Sequence, residues 1–187
     1  MCLMRNRNVS YIALATAFIL LLPLIAMQFT NEVNWTLFDF VFAGTLIFTT
    51  GLLFEVVRKR TAGNREYQIA TGLALAAAFL LVWINGAAGI IGSESNPLNL
   101  MYLGVIAIAI IGALTARLQP PGMARTLLAT AIAQAVVPMI ALVAQPQVMF
   151  AEPAGLIGVF VLNSFFVMLF AGSALLFRRA GAAGLIA

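Results

Sequence analysis

Apolar residues run almost unbroken through six stretches of the chain, and polar residues gather in the short segments between them. The stretches are Ser10–Met27, Thr36–Val57, Glu66–Ala88, Pro97–Ala116, Arg125–Ala144 and Pro153–Phe177. A bilayer core about 30 Å thick takes about 20 apolar residues per crossing helix, and each stretch fits that length. Strands of a membrane barrel would be about 10 residues long with strict alternation. Here the runs are continuous and rich in Ala, Leu and Ile, which predicts helices. The expected fold class is therefore all-α: a polytopic transmembrane helix bundle of six spans, forming one membrane domain over residues 1–187.

Composition agrees. Of 187 residues, 63% are apolar and 9% charged, with a mean hydropathy of +1.07. A soluble domain carries about a quarter charged residues, so lipid must serve as solvent for much of this surface. The first 30 residues have a basic start and an apolar run, like a signal peptide. The run is too long and no A-x-A site follows it, which predicts an uncleaved anchor.

Charge predicts an orientation, because Lys and Arg near span ends stay cytoplasmic. Arg5 and Arg7 precede the first span, and Arg58, Lys59, Arg60 and Arg65 lie between the second and third. Arg117 and Arg125 join the fourth and fifth, and Arg178 and Arg179 follow the sixth. The other three loops hold Glu32, Glu94 and Glu152 and no basic residue. Both termini are thus expected inside (N-in/C-in). Basic clusters at membrane borders are explained by topology and anionic headgroups, so no nucleic-acid partner is expected.

Local signals mark the span ends. Thr36-Leu-Phe-Asp39 fits a capping box, while Asn96-Pro97 and Glu152-Pro153 each place a capping residue before a proline. Pro120-Pro121-Gly122 predicts a rigid turn. Small residues predict packing seams: Ala70, Ala74, Ala78 and Gly86 in the third span, Ala129, Ala133 and Ala141 in the fifth, and Gly44 with Gly51 in the second. Whether these seams close within one chain or between copies is open at this level. Trp35, Trp83 and Tyr102 map to the outer interface and Tyr11 and Tyr67 to the inner one, as an aromatic belt would.

Ionisable groups within spans count as functional candidates. Asp39 reads as a wet cap, and Glu55 as an interfacial ion-pair partner for Arg58 and Lys59, three and four residues on. The two acids are 16 residues apart, about 24 Å along the axis and about 160° around it, so they cannot form a relay on their own. Deeper in, Pro138 leaves the carbonyl of Gln134 without its helical N–H partner. A regular hairpin brings Asn163 and Ser164 to the same depth, predicting a midplane set of Gln134, Asn163 and Ser164. It is either a binding site or a structural hydrogen bond. A second set lies outside: Asn85, Glu94, Asn96, Asn99 and Tyr102, beside Trp35, Asp39 and Trp83. There glycines 86, 89 and 92 let the backbone leave the helix at membrane depth. It is either a ligand or partner site or a capped surface loop.

The motifs Trp35-Thr36-x-x-Asp39-Phe40 and Gly89-Ile-Ile-Gly92-Ser-Glu94-x-Asn96-Pro97-x-Asn99-x-Met101-Tyr102 resemble those of a group of small polytopic inner-membrane proteins of bacteria. The resemblance implies six helices and a bacterial inner (plasma) membrane, and it carries no activity with it.

The chain has no histidine and one cysteine, Cys2. That excludes His-ligated haem, His-based metal sites, Ser-His or Cys-His catalysis and an intrachain disulfide. Rhomboid-like and lipid-phosphatase-like chemistries also need a histidine, and a retinal protein needs a lysine within a span. No catalytic constellation remains, and no cofactor is expected. The leading expectation is a non-catalytic accessory or structural membrane protein. Its expected partners are the lipid bilayer and, at the small-residue seams, a second copy or another membrane protein. The alternative is a small transporter or permeation pathway that takes a lipid or small-molecule ligand near midplane, since broken helices mark such sites.

Overall fold

The computed structural model describes residues 3–30, 32–61, 63–151 and 155–183, with the side chains of 3–6, 151 and 183 excepted. Among the described residues the chain is all-helical: α1 Leu3–Phe29, α2 Leu37–Arg60, α3 Arg65–Ala87, α4 Met101–Thr115, α5 Pro120–Ala144, α6 Pro146–Ala151 and α7 Gly155–Ala183. A single 3-10 turn, Pro97–Leu100, leads into α4. Six of the helices are long and apolar enough to cross a membrane, and these are the six expected spans.

The span limits shift where capping chemistry decides them. Pro120 and Pro121 are not a turn between helices; they are the first two residues of α5, behind Gln119. Proline lacks an N–H, and the first turn of a helix has no intrahelical use for one. The fifth span is therefore five residues longer than the apolar run. The six-residue α6 has no counterpart in the hydropathy pattern. The expected Glu152-Pro153 helix start lies outside the described residues, as does Cys2.

The chain divides into two compact units, residues 1–60 and 61–187. In the first, α1 packs on α2 along the Gly44/Gly51 face. A Cβ on Gly44 would sit 3.1 Å from the Leu20 Cδ1, and one on Gly51 3.0 Å from the Ile12 Cγ2. This glycine seam therefore closes within the chain, on α1. At the other end of the hairpin Glu55 pairs with Arg58 at 2.8 Å and Lys59 at 3.2 Å, as the spacing predicts. The Asn8 side-chain amide of α1 also donates to Glu55, tying the two helices.

In the second unit α5 lies against α4 and α7, and α3 against α7. The buried face of α3 runs through Tyr67, Ala70, Thr71, Ala77 and Leu81, and that of α5 through Leu127, Thr130, Ala131, Gln134, Val137 and Ala141. The small-residue ridges expected at 70/74/78/86 and 129/133/141 pack only in part: Ala70 and Ala141 are fully buried, Ala74, Ala78 and Ala133 are partly covered, and Gly86 and Ala129 are exposed. Steps of four residues advance about 400°, so such a ridge drifts about 40° per step around the helix. Mixed steps of three and four hold one face. The Ser173 hydroxyl crosses from α7 to the Ala70 carbonyl at 2.7 Å and fastens the contact with α3.

Candidate functional site

The midplane set forms in part, and its composition changes. Asn163 of α7 is 2% exposed and Gln134 of α5 is fully buried. The Gln134 Nε2 donates to the Asn163 Oδ1 at 2.9 Å, as the hairpin register predicts. The Tyr102 hydroxyl of α4 donates to the same oxygen at 3.0 Å. Tyr102 is 1% exposed and Tyr67 3% exposed, so neither belongs to an interfacial belt. Tyr102 was expected in the outer loop set, yet it completes the inner one.

Ser164 does not join them. Successive helical residues lie 100° apart, so with Asn163 turned inward Ser164 is exposed on α7. It lines a shallow apolar depression of about 400 Å³ with Leu156, Ile157, Phe160, Val161 and Met168, all on the same helix.

The direction of the network follows from one carbonyl. The Asn163 Nδ2 donates to the Val159 carbonyl at 2.8 Å, one turn back along α7. The amide must therefore present its oxygen to Tyr102 and Gln134, and Gln134 must present its nitrogen in turn. The Gln134 Oε1 is left buried with no hydrogen-bond partner among the described residues. An unpaired buried acceptor costs about 1–3 kcal/mol. Pro138 also denies the Gln134 carbonyl its usual donor. All three side chains are neutral amide or phenol, so the set is a clamp between α4, α5 and α7, with no group poised for proton transfer near neutral pH.

The outer loop set is knotted around Asn99. Asn99 is 4% exposed. Its Oδ1 accepts from the backbone N–H groups of Ile90 (3.1 Å) and Ile91 (2.9 Å), while its Nδ2 donates to the carbonyls of Ile91 (3.1 Å) and Ser93 (2.9 Å). One side chain thus does for the loop what a strand partner would. Gly89 has φ +72°, and a Cβ there would lie 2.7 Å from the Asn99 Nδ2, so the turn accepts only glycine. The Asn96 Oδ1 caps the 3-10 turn by accepting from the Leu98 N–H at 3.0 Å, with Pro97 next to it as predicted. The Asn96 Nδ2 donates to the Gln145 Oε1 at 2.9 Å, joining the loop to the end of α5. Asn85 donates to the Asn99 carbonyl at 3.2 Å, while its own Oδ1 is buried and unpartnered. Glu94 is exposed, and Trp83 stacks on Phe79 with ring centres 5.8 Å apart.

Trp35 and Asp39 belong to the first unit, and each is engaged locally. Trp35 meets Phe40 edge-on at 5.3 Å. The Asp39 carboxylate accepts from the Thr36 N–H at 2.7 Å and the Thr36 hydroxyl at 2.8 Å, which is the expected capping box.

Two contributors escaped sequence reasoning. Gln145 sits at the end of α5, where a polar residue before Pro146 is an ordinary helix stop. The Tyr67 hydroxyl donates to the Leu118 carbonyl. No signal short of helix rotation could have found that contact.

Among the described residues the chain is thus all-helical, with six helices able to cross a membrane and, in the second unit, a buried clamp of neutral polar side chains between α4, α5 and α7. No family model matches it, and no curated protein or solved structure is significantly similar to it.

Proposed function

We propose that the chain is a multi-pass protein of the bacterial inner membrane with both termini cytoplasmic, acting as a non-catalytic accessory or structural component. The observation that carries this reading is the engagement of the deepest polar side chains with one another. Tyr102, Gln134 and Asn163 join three helices through one shared side-chain oxygen. The outer loop likewise satisfies its own backbone through Asn99. The separation of basic from acidic loops supports the orientation, and the resemblance at Trp35–Phe40 and Gly89–Tyr102 supports the bacterial membrane.

Native mass spectra of the protein released gently from its own membrane test the reading. A discrete oligomer or a bound second protein is the expected result. A monomer that captures no partner on crosslinking would overturn it. Labelling of cysteines introduced at Gly63 and Glu94, from either side of the membrane, tests the orientation.

One observation favours a second reading, a small transporter or permeation pathway. The unpartnered Gln134 oxygen lies one turn before Pro138, where α5 can bend. A small molecule co-purifying with the protein, and lost in Gln134→Leu, would favour that reading over the first.

A further inference from the structure

We propose that the end of the second unit where α3 begins and α7 finishes binds the phosphate headgroup of an anionic phospholipid. Arg65, Arg117, Arg125, Arg178 and Arg179 supply the positive charge. The proposal rests on the membrane-spanning reading and adds to it a ligand class and a place.

Three contacts knit these helix ends, and two of them are hydrogen bonds made by immediate chain neighbours of the arginines. Asn64, beside Arg65, donates from its side chain to the carbonyl of Ala180, beside Arg179, at 3.3 Å. Leu118, beside Arg117, accepts from the Tyr67 hydroxyl. Gly181 then lies so close to the start of α5 that a Cβ on it would be 3.3 Å from the Pro120 Cβ. Arg125 follows within two turns along α5. The arginines are therefore gathered by the fold and not merely by a shared end of the sequence pattern.

All five are exposed, and none is in an ion pair among the described residues. Among the described residues, Glu66 is the one side-chain carboxylate on these helix ends. In the first unit, by contrast, Arg58 and Lys59 are matched by Glu55. The turn before α5 is also costly. Arg117 has φ 49° and Leu118 φ 59°, left-handed values that cost a residue with a Cβ about 1 kcal/mol or more. The turn is held by the Tyr67 hydroxyl and by the Leu118 N–H, which donates to the Ala113 carbonyl at 3.2 Å. Arg117 thus projects from a fixed backbone.

The residues one turn toward the span centre argue for a lipid over a soluble anion. Ile69 is four residues from Arg65, Leu114 three from Arg117, Leu128 three from Arg125, and Leu175 three from Arg178. They are 51%, 72%, 53% and 56% exposed. Arg65, Arg125 and Arg178 are therefore each one helical turn from an open apolar side chain on the same helix, and Arg117 follows the end of α4, whose last turn carries Leu114. That is the vertical order of a phosphate above an acyl chain, and the guanidinium fork matches phosphate oxygens two at a time. An RNA or a free phosphate has no use for the apolar tier.

The test uses the full chain in mild detergent. Thermal unfolding and lipid retention in native mass spectra are followed on adding phosphatidylglycerol, phosphatidylcholine, inorganic phosphate or a short oligonucleotide. Phosphatidylglycerol alone is expected to raise Tm and to be retained. In R178Q/R179Q, at the exposed end of α7, its affinity is expected to fall about tenfold. R178K/R179K, which keeps the charge but loses the two-pronged fork, is expected to bind more weakly than the parent and more tightly than R178Q/R179Q, and R58Q, whose guanidinium is matched by Glu55, leaves binding unchanged. Equal stabilisation by phosphatidylcholine, or equal retention in R178Q/R179Q, would overturn the proposal. A matching shift with inorganic phosphate would make this a free-anion site, and a stronger one with the oligonucleotide a nucleic-acid surface; either result also overturns it. Alkaline carbonate washing separates the two readings. A chain released from membranes fails the membrane reading, whereas a chain that stays without lipid preference fails only this proposal.

Discussion

Asn163 accepts the side-chain amide of Gln134 across the α5–α7 contact, 2.9 Å from nitrogen to oxygen, at a depth where water has no access. Asn163→Leu would strip the acceptor from both Gln134 and Tyr102 while keeping the branched shape of the side chain. Two buried donors are left unpaired, so a loss of about 1–3 kcal/mol for each is expected, seen as a lower Tm in detergent. Ser164→Ala, the neighbouring change on the exposed face, should leave Tm unaltered. Equal shifts for the two variants would contradict the inward position of Asn163.

Gly89→Ala should destabilise the second unit more than Gly63→Ala. Both residues have positive φ, +72° and +100°, but the Cβ at 89 also collides with Asn99 and the Glu94 N–H, whereas nothing lies within 4 Å at 63. The conformational cost alone is about 1 kcal/mol, and the collision adds to it only at 89. Hydrogen exchange of the Ile90 and Ile91 amides, which donate to Asn99, should accelerate in Gly89→Ala and stay protected in Gly63→Ala.

The α1–α2 hairpin depends on close approach at Gly51. Gly51→Leu would drive a branched side chain into Ile12, which already stands 3.0 Å from where a Cβ would lie. Overpacking of this kind costs about 1–3 kcal/mol. A disulfide between cysteines placed on α1 and α2 along this face should form readily in the parent and poorly in Gly51→Leu.

Glu55→Gln tests the base of the same hairpin. It removes the partner of Arg58 and Lys59 but keeps an oxygen for Asn8. The two cations are about half exposed, with side-chain exposures of 48% and 45%, so water takes much of the load. A loss of no more than about 1 kcal/mol is expected. Glu55→Leu, which also deprives Asn8 of its acceptor, should cost more. Thermal unfolding of the two variants side by side decides the point.

Depth along the membrane normal was legible in the sequence, and rotation about each helix was not. Lipid demands about 20 apolar residues per crossing, so all six spans stand out, and the meeting of Gln134 with Asn163 follows from counting along a hairpin. Capping at Thr36–Asp39 and Asn96–Pro97 was readable because it depends on neighbours in the chain. In lipid, however, outward and inward faces are equally apolar, so no amphipathic stripe announces which side packs. The sequence pattern therefore groups Ser164 with Asn163, places Tyr67 and Tyr102 at the interface, and reads Ala74 and Ala129 as seams, because each of those readings depends on helix rotation. The short α6 was hidden because six residues between prolines are too few to show a helical period.

The clamp of Tyr102, Asn163 and Gln134 ends on an oxygen with nothing to hold. A fold at its stability ceiling would have closed that gap with a hydroxyl from a neighbouring helix. Proteins drift down to the stability they need and stay there. The centre of this bundle therefore keeps headroom: one well-placed serine or threonine facing the Gln134 oxygen would make a more heat-resistant molecule without altering a single turn of its backbone.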